Sequence, residues 1–221
     1  MGLVVIVVAT VGVLAWIYPS VAAISCPRCY GLERLRDDLY AERDLPASQQ
    51  QQIIDVYAVA SERVTDFYGG RVSRPRVLAC MTDGCYTRIG GGGERGIAVL
   101  NRAVLLSPRG IDPAIAAHEM SHVEFHRRLT ASDHPVPQWF DEGLAVLVAQ
   151  DSRYLPSPGV PCPAGGPLPA TLPEWLRAAT ADDRIYADAA CRVRAYGDNR
   201  AILHVIDRLN HGEAFTEVAA G

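Results

Sequence analysis

His118 and His122 stand four residues apart with Glu119 between them, and this spacing restricts the chain more than any other stretch. On an α-helix, residues four apart lie one turn above each other on the same face, so the two imidazoles can grip one metal ion. Glu119 is rotated by about 100° from His118, which carries its carboxylate beside the open side of such an ion. That is where a general base for an activated water belongs. The helix itself is announced by its approach. Asp112 suits the N-cap, Pro113 fits the first turn, and Ala114 to Ala117 favour helix.

A second stretch supplies what the first lacks. Trp139-Phe140-Asp141-Glu142-Gly143-Leu144-Ala145 follows Pro137 and reads as an almost wholly apolar, buried helix that nevertheless carries two acids. A buried carboxylate needs a partner, and a zinc ion with one ligand missing would supply it.

Together, H-E-x-x-H and W-x-x-E-G-x-A resemble the gluzincin group of zinc metallopeptidases, within the zincin-like superfamily. The resemblance covers Ile111 to about Ala149 and, more weakly, the stretch around Tyr196. It implies that His118, His122 and Glu142 are zinc ligands and that Glu119 is the catalytic base. It also implies that Gly143 is the small residue that lets two helices approach, and that Tyr196 stands opposite the zinc, its phenol donating to the oxyanion. The expected chemistry is hydrolysis of peptide or protein substrates by a zinc-activated water. An edge strand, Ile97 to Leu100 or its neighbour, is expected to line the cleft and pair with an extended peptide.

The chain also departs from this pattern. Where several gluzincins have an acid one turn after the glutamate ligand, Val146 stands here, so a different residue, Asp141 for example, must buttress a histidine. The metzincin arrangement is excluded, since Phe125 and Arg128 occupy the places of its glycine and third histidine. His126, one turn beyond His122, reads as a solvated helix residue. A zincin-like envelope protein that binds without turnover, with or without zinc, is the alternative reading.

A length of 221 residues with 49% hydrophobic and 21% charged residues suits one well-cored domain plus one apolar segment. The expected division is therefore 1–25 as an anchor or signal segment and 26–221 as a single catalytic domain. The net charge of −4, with no basic stripe, argues against a nucleic-acid partner. All 21 basic residues are arginine, as a GC-rich bacterial genome would give.

Six cysteines, at positions 26, 29, 80, 85, 162 and 191, point to disulfides in an oxidising compartment. Cys80 with Cys85, Cys26 with Cys29 and Cys162 with Cys191 are one set of pairs; four thiolates from Cys26, Cys29, Cys80 and Cys85 on a structural zinc are a rival. A thioredoxin-type role for Cys26-Pro27-Arg28-Cys29 lacks the strand-helix-strand pattern it needs.

Gly2 to Tyr18 is a run of seventeen uncharged residues. As a helix it would be about 26 Å long, just enough to cross a hydrocarbon core with help from the residues after Pro19. It reads as a transmembrane anchor or a secretory signal, cleaved, lipidated at Cys26 or retained, and with the cysteines it places the domain in the cell envelope. The arginines that follow the run oppose export by the positive-inside rule.

The remainder reads as α+β. Leu32 to Ala41 and Ala47 to Phe67 look helical. Arg76 to Cys80, Cys85 to Ile89, Ile97 to Leu100 and Val104 to Leu106 look like strands of a small, mostly antiparallel sheet packed on the metal helix. Leu155 to Pro173, with seven prolines and three glycines, is an irregular loop. Glu174 to Ala179, Arg184 to Arg194 and Asp198 to Leu209 form a helical C-terminal part.

Overall fold

The structure, a computed structural model, describes residues 18–129, 135–155 and 166–218. It is α+β, mostly helical, with one small sheet. Its contacts divide the described chain into two compact units, one of 18–58 and Arg74–Ala116, the other of Val59–Ser73 and 117–218.

The first unit holds the sheet. Strands β1 (Leu32–Arg34), β2 (Leu39–Glu42), β3 (Arg76–Ala79), β4 (Gly96–Val99) and β5 (Ala103–Leu106) lie in the order β1-β2-β3-β5-β4. The sheet is mixed rather than mostly antiparallel: β1 with β2 and β4 with β5 run antiparallel, whereas β2 with β3 and β3 with β5 are parallel. Parallel neighbours need a long crossover, and the 22-residue helix α2 (Ala47–Tyr68) lies between β2 and β3 in the chain. The interior strand β5 is buried at all four positions, the continuous apolar pattern of a strand covered on both faces.

Two segments differ from the sequence expectation. Leu32 to Ala41 is not a helix but the hairpin of β1 and β2, because Leu39 and Ala41 are buried at a spacing of two and Leu35 N–H closes the turn on the Leu39 carbonyl at 2.9 Å. Cys85 to Ile89 is not a strand but part of helix α3 (Asp83–Arg88). Thr82 caps that helix by accepting from Cys85 N–H at 3.2 Å, and Thr82 is itself held by the Glu42 carboxylate.

The apolar run expected to anchor or export the chain lies, Tyr18 apart, outside the described residues. Among the described residues, no helix is long and apolar enough to cross a membrane. The residues that follow the run form helix α1 (Pro19–Ser25), and Ala23 is buried in a cluster with Leu32, Leu78 and Leu105. Cys26–Cys29 and Cys80–Cys85 are disulfides, with Cα atoms 5.4 and 5.6 Å apart. These bonds leave no thiolate for a four-cysteine zinc site and no Cys26 thiol for a lipid. Cys191 is also disulfide-bonded; Cys162 lies outside the described residues.

Between β4 and β5 the chain turns at Leu100 and Asn101, with φ of 52° and 51°, and Arg102 N–H donates to the Val99 carbonyl at 3.0 Å. Asparagine tolerates that left-handed conformation, whereas a leucine there costs about 1–2 kcal/mol.

Helix α4 (Pro113–Arg128) carries the histidine pair, and Asp112 caps it as its sequence leads one to expect, accepting from Ala114 N–H at 2.8 Å and Ile115 N–H at 3.2 Å. In the second unit it is followed by α5 (Gln138–Ala149), α6 (Leu172–Ala181), α7 (Ile185–Arg194), α8 (Asn199–Asn210) and α9 (Phe215–Val218). Phe140 on α5 meets Phe125 at 5.9 Å and Phe215 at 5.1 Å between ring centres, an aromatic core that fixes α5 beside α4.

Glu124, 0% exposed, ties down the far side of α4. Its carboxylate accepts from Val72 N–H (2.8 Å), Ser73 N–H (2.8 Å), Ser73 Oγ (2.5 Å) and Arg128 Nε (2.7 Å). Burial would raise its pKa, but these donors hold it below the usual glutamate value. Glu124→Gln is expected to lower stability by about 3 kcal/mol, since the amide keeps only one accepting oxygen, turns an NH2 toward buried donors and removes the charge that pairs with Arg128. A denaturant midpoint equal to that of the parent protein would show that this anchor carries no weight.

Candidate metal centre

Helix α4 presents His118 and His122 one turn apart, and α5 presents Glu142. The Glu142 Oε2 atom lies 3.2 Å from His118 Nε2 and 3.8 Å from His122 Nε2. One ligating atom from each of the three residues falls within 4.8 Å of the others. Donors about 2.0–2.1 Å from a tetrahedral ion stand about 3.3 Å apart, close to the two Glu142–imidazole separations; the widest separation in the set, within 4.8 Å, would have to shorten on binding. Two nitrogens and one carboxylate oxygen also suit a divalent metal with a fourth position left open. The other Glu142 oxygen, Oε1, accepts from Gln138 Nε2 at 3.1 Å, which fixes the carboxylate's rotation.

Asp141, the other acid of α5, orients one of the candidate ligands, His122. Asp141 Oδ1 pairs with His122 Nδ1 at 2.8 Å, and Asp141 Oδ2 with His126 Nε2 at 2.7 Å. A proton on His122 Nδ1 facing Asp141 leaves Nε2 turned toward Glu142, the tautomer a metal requires. Asp141 therefore fills the buttressing role left open by Val146. His126, which reads from sequence as a solvated residue, completes the arrangement from a partly exposed position. Its spacing of four from His122 is the signal that places both imidazoles over one carboxylate.

Electrostatics follow from these contacts. Burial alone would push the His122 pKa down, but the Asp141 carboxylate beside it overrides this and pushes it up to about 10, with help from Glu142 and Glu119. Burial would likewise raise Asp141 and Glu142, yet the neighbouring imidazoles hold both below their ordinary carboxylate values. Glu119, half-buried, stands near enough for its charge to act on both His122 and Tyr186.

The tyrosine beside this cluster is Tyr186 on α7. Its ring centre is 6.1 Å from that of His118, and Trp175 meets it edge-on at 5.1 Å. Burial first, and then the Glu142 charge, push its phenol well above the usual tyrosine value, so it stays protonated. Tyr196, which the resemblance puts opposite the metal, packs edge-on against Phe140 at 5.8 Å. Sequence spacing gives no sign of Tyr186, because it reaches the site through the packing of α7 on α5. That packing depends on Gly143. A Cβ there would lie 2.5 Å from the carbonyl carbon and oxygen of Ala189 on α7, so the close approach it permits is to the backbone of α7.

No family model, curated protein or solved structure matches this chain.

Two outcomes are expected. His122 in the metal-free protein is cationic below about pH 10, so capture of a divalent ion must expel a proton. Calorimetry in buffers of differing ionisation enthalpy should then read about one proton released per ion at pH 7.5. Its pKa is raised on folding from 6.5 to about 10. The stability it lends the metal-free protein is accordingly full below pH 6.5 and lost as pH rises through about 10. Metal affinity should rise over the same interval. Separately, Gly143→Ala should lower thermal stability by about 3 kcal/mol and weaken metal binding, since backbone rather than a side-chain tip must move.

Proposed function

We propose that this chain is a gluzincin-type, zincin-like zinc peptidase of the bacterial cell envelope, exported or membrane-anchored through its N-terminal apolar run. The observation that carries the reading is the convergence of His118, His122 and Glu142 from two helices, with Glu119 next to the first ligand. The disulfides Cys26–Cys29 and Cys80–Cys85 support an oxidising compartment.

His118, His122 and Glu142 would hold a zinc ion, which would supply Lewis acidity toward a water and the peptide carbonyl. Glu119 takes the proton of the attacking water and returns it to the departing amine nitrogen as the C–N bond breaks. Asp141, clamped by His126, keeps the proton on Nδ1 of His122 and so holds that ring in register. Tyr186 keeps its phenolic proton at neutral pH and offers it to the carbonyl oxygen as that oxygen gains charge.

Glu119→Gln should retain zinc and lower peptide hydrolysis by about 10²–10⁴-fold, the usual span for a general base. Tyr186→Phe should lower kcat by about 10²-fold or more, whereas Tyr196→Phe should leave it unchanged. Casein digestion with and without a chelator, with metal analysis of each variant, reads all three. A protein that holds zinc and leaves casein and a peptide library intact would be a binding protein, and the proposal would fail.

A further inference from the structure

The first unit contains a second chemical feature, remote in role from the metal centre. A groove of about 710 Å³ is lined by Arg74, Arg76, Arg102 and Asp38, with Ile24 of α1 on one wall and Leu100 at its rim. Three guanidinium groups and one carboxylate give it a net charge of +2. Among the described residues, no ion pair joins any of these arginines to an acid. Arg76 donates through Nη1 to the Ile24 carbonyl and lies 5.5 Å over the Tyr40 ring. Its Nε–H, by contrast, is buried without a hydrogen-bond acceptor. A buried charged donor left unmatched is unfavourable, and its uncompensated charge adds to the positive field that the groove offers an anion.

Two further features indicate where that anion resides. Leu100 is 67% exposed at the tip of the β4–β5 turn, held at a positive φ that a leucine rarely adopts. An apolar side chain displayed at such a tip beside cations suits an interface that is apolar on one side and anionic on the other. The groove wall also includes Val21, Ile24 and Ser25. These residues follow the end of the apolar run at Tyr18 by at most seven positions, about 10 Å of helical rise. Headgroup layers occupy about that depth outside the hydrocarbon core.

We propose that the Arg74, Arg76 and Arg102 groove binds the phosphate of an anionic phospholipid headgroup, with Leu100 dipping into the interface next to it. The inference rests on the reading that the apolar run is membrane-inserted. It concerns a separate property, lipid selectivity, and is independent of the metal chemistry.

The test uses the full chain reconstituted in vesicles of zwitterionic lipid alone or with a third of an anionic phospholipid, and reads amide hydrogen exchange over residues 99–102. Exchange there is expected to slow at least tenfold in the anionic vesicles, and this protection should disappear at high salt. The double variant Arg74→Gln, Arg102→Gln replaces two exposed side chains and leaves the Arg76 contacts in place. Losing about 1 kcal/mol per cation near an anionic surface, about thirtyfold for the two, it should lose a tenfold slowing entirely. Equal exchange in both lipids, or protection that survives the double variant, overturns the proposal. So does equal protection by millimolar inorganic phosphate in non-ionic micelles, which would make this a soluble-anion site. Should the chain fail to insert into zwitterionic vesicles, the anchor reading falls; binding of the same protein to anionic vesicles still decides the groove.

Discussion

Burying two adjacent acids on one apolar helix creates an electrostatic demand that most of the second unit is arranged to meet. Asp141 and Glu142 are 7% and 8% exposed, and neither could remain ionised there without cationic or donor neighbours. The neighbours are His118, His122 and His126, all from α4, so two helices are matched by charge as well as by the aromatic packing of Phe125 on Phe140. Because the two carboxylates are consecutive, they point in different directions from α5 and divide the work. One faces the ligand nitrogens, and the other holds the outer nitrogens of two rings.

The same demand explains why α7 comes so close. With α5 buried along nearly its whole length, its third side must also be covered. Gly143, directly after Glu142, is where the α7 backbone can reach it. Tyr186 is thereby delivered beside His118 although it lies far along the chain and outside any motif. A glycine whose evident role is steric thus lets a phenol come beside the candidate ligand His118.

Much of this could be read in advance from local pattern, and the rest could not, for definite reasons. His118, His122 and Glu142 were legible because helical spacing and a buried acid are both local signals. The Asp112 cap and helices α2, α7 and α8 were legible for the same reason. Leu32 to Ala41 reads as helix in the sequence because its two strands are only three and four residues long, too short for alternation to stand out from apolar content. Cys85 to Ile89 was misread because its β-favouring residues are overruled by the Thr82 cap and the Cys80–Cys85 bond. The parallel pairing of β3 with its neighbours depends on what α2 connects, which strand composition does not encode. Tyr186 beside His118 has no signal in the sequence, since tertiary packing alone brings it there.

Glu124 and His122 lie two residues apart on α4 and so project from nearly opposite sides of it. One side is fastened by three hydrogen bonds from Val72 and Ser73 to the carboxylate of Glu124, the other by Asp141. Rotation of α4 about its own axis is therefore blocked from both directions by contacts that involve no ion. The ligand atoms owe their positions to folding itself, so the entropic cost of arranging them is met when the chain folds and not when an ion arrives. A cluster assembled in that order could take up or lose an ion without the scaffold around it being rebuilt.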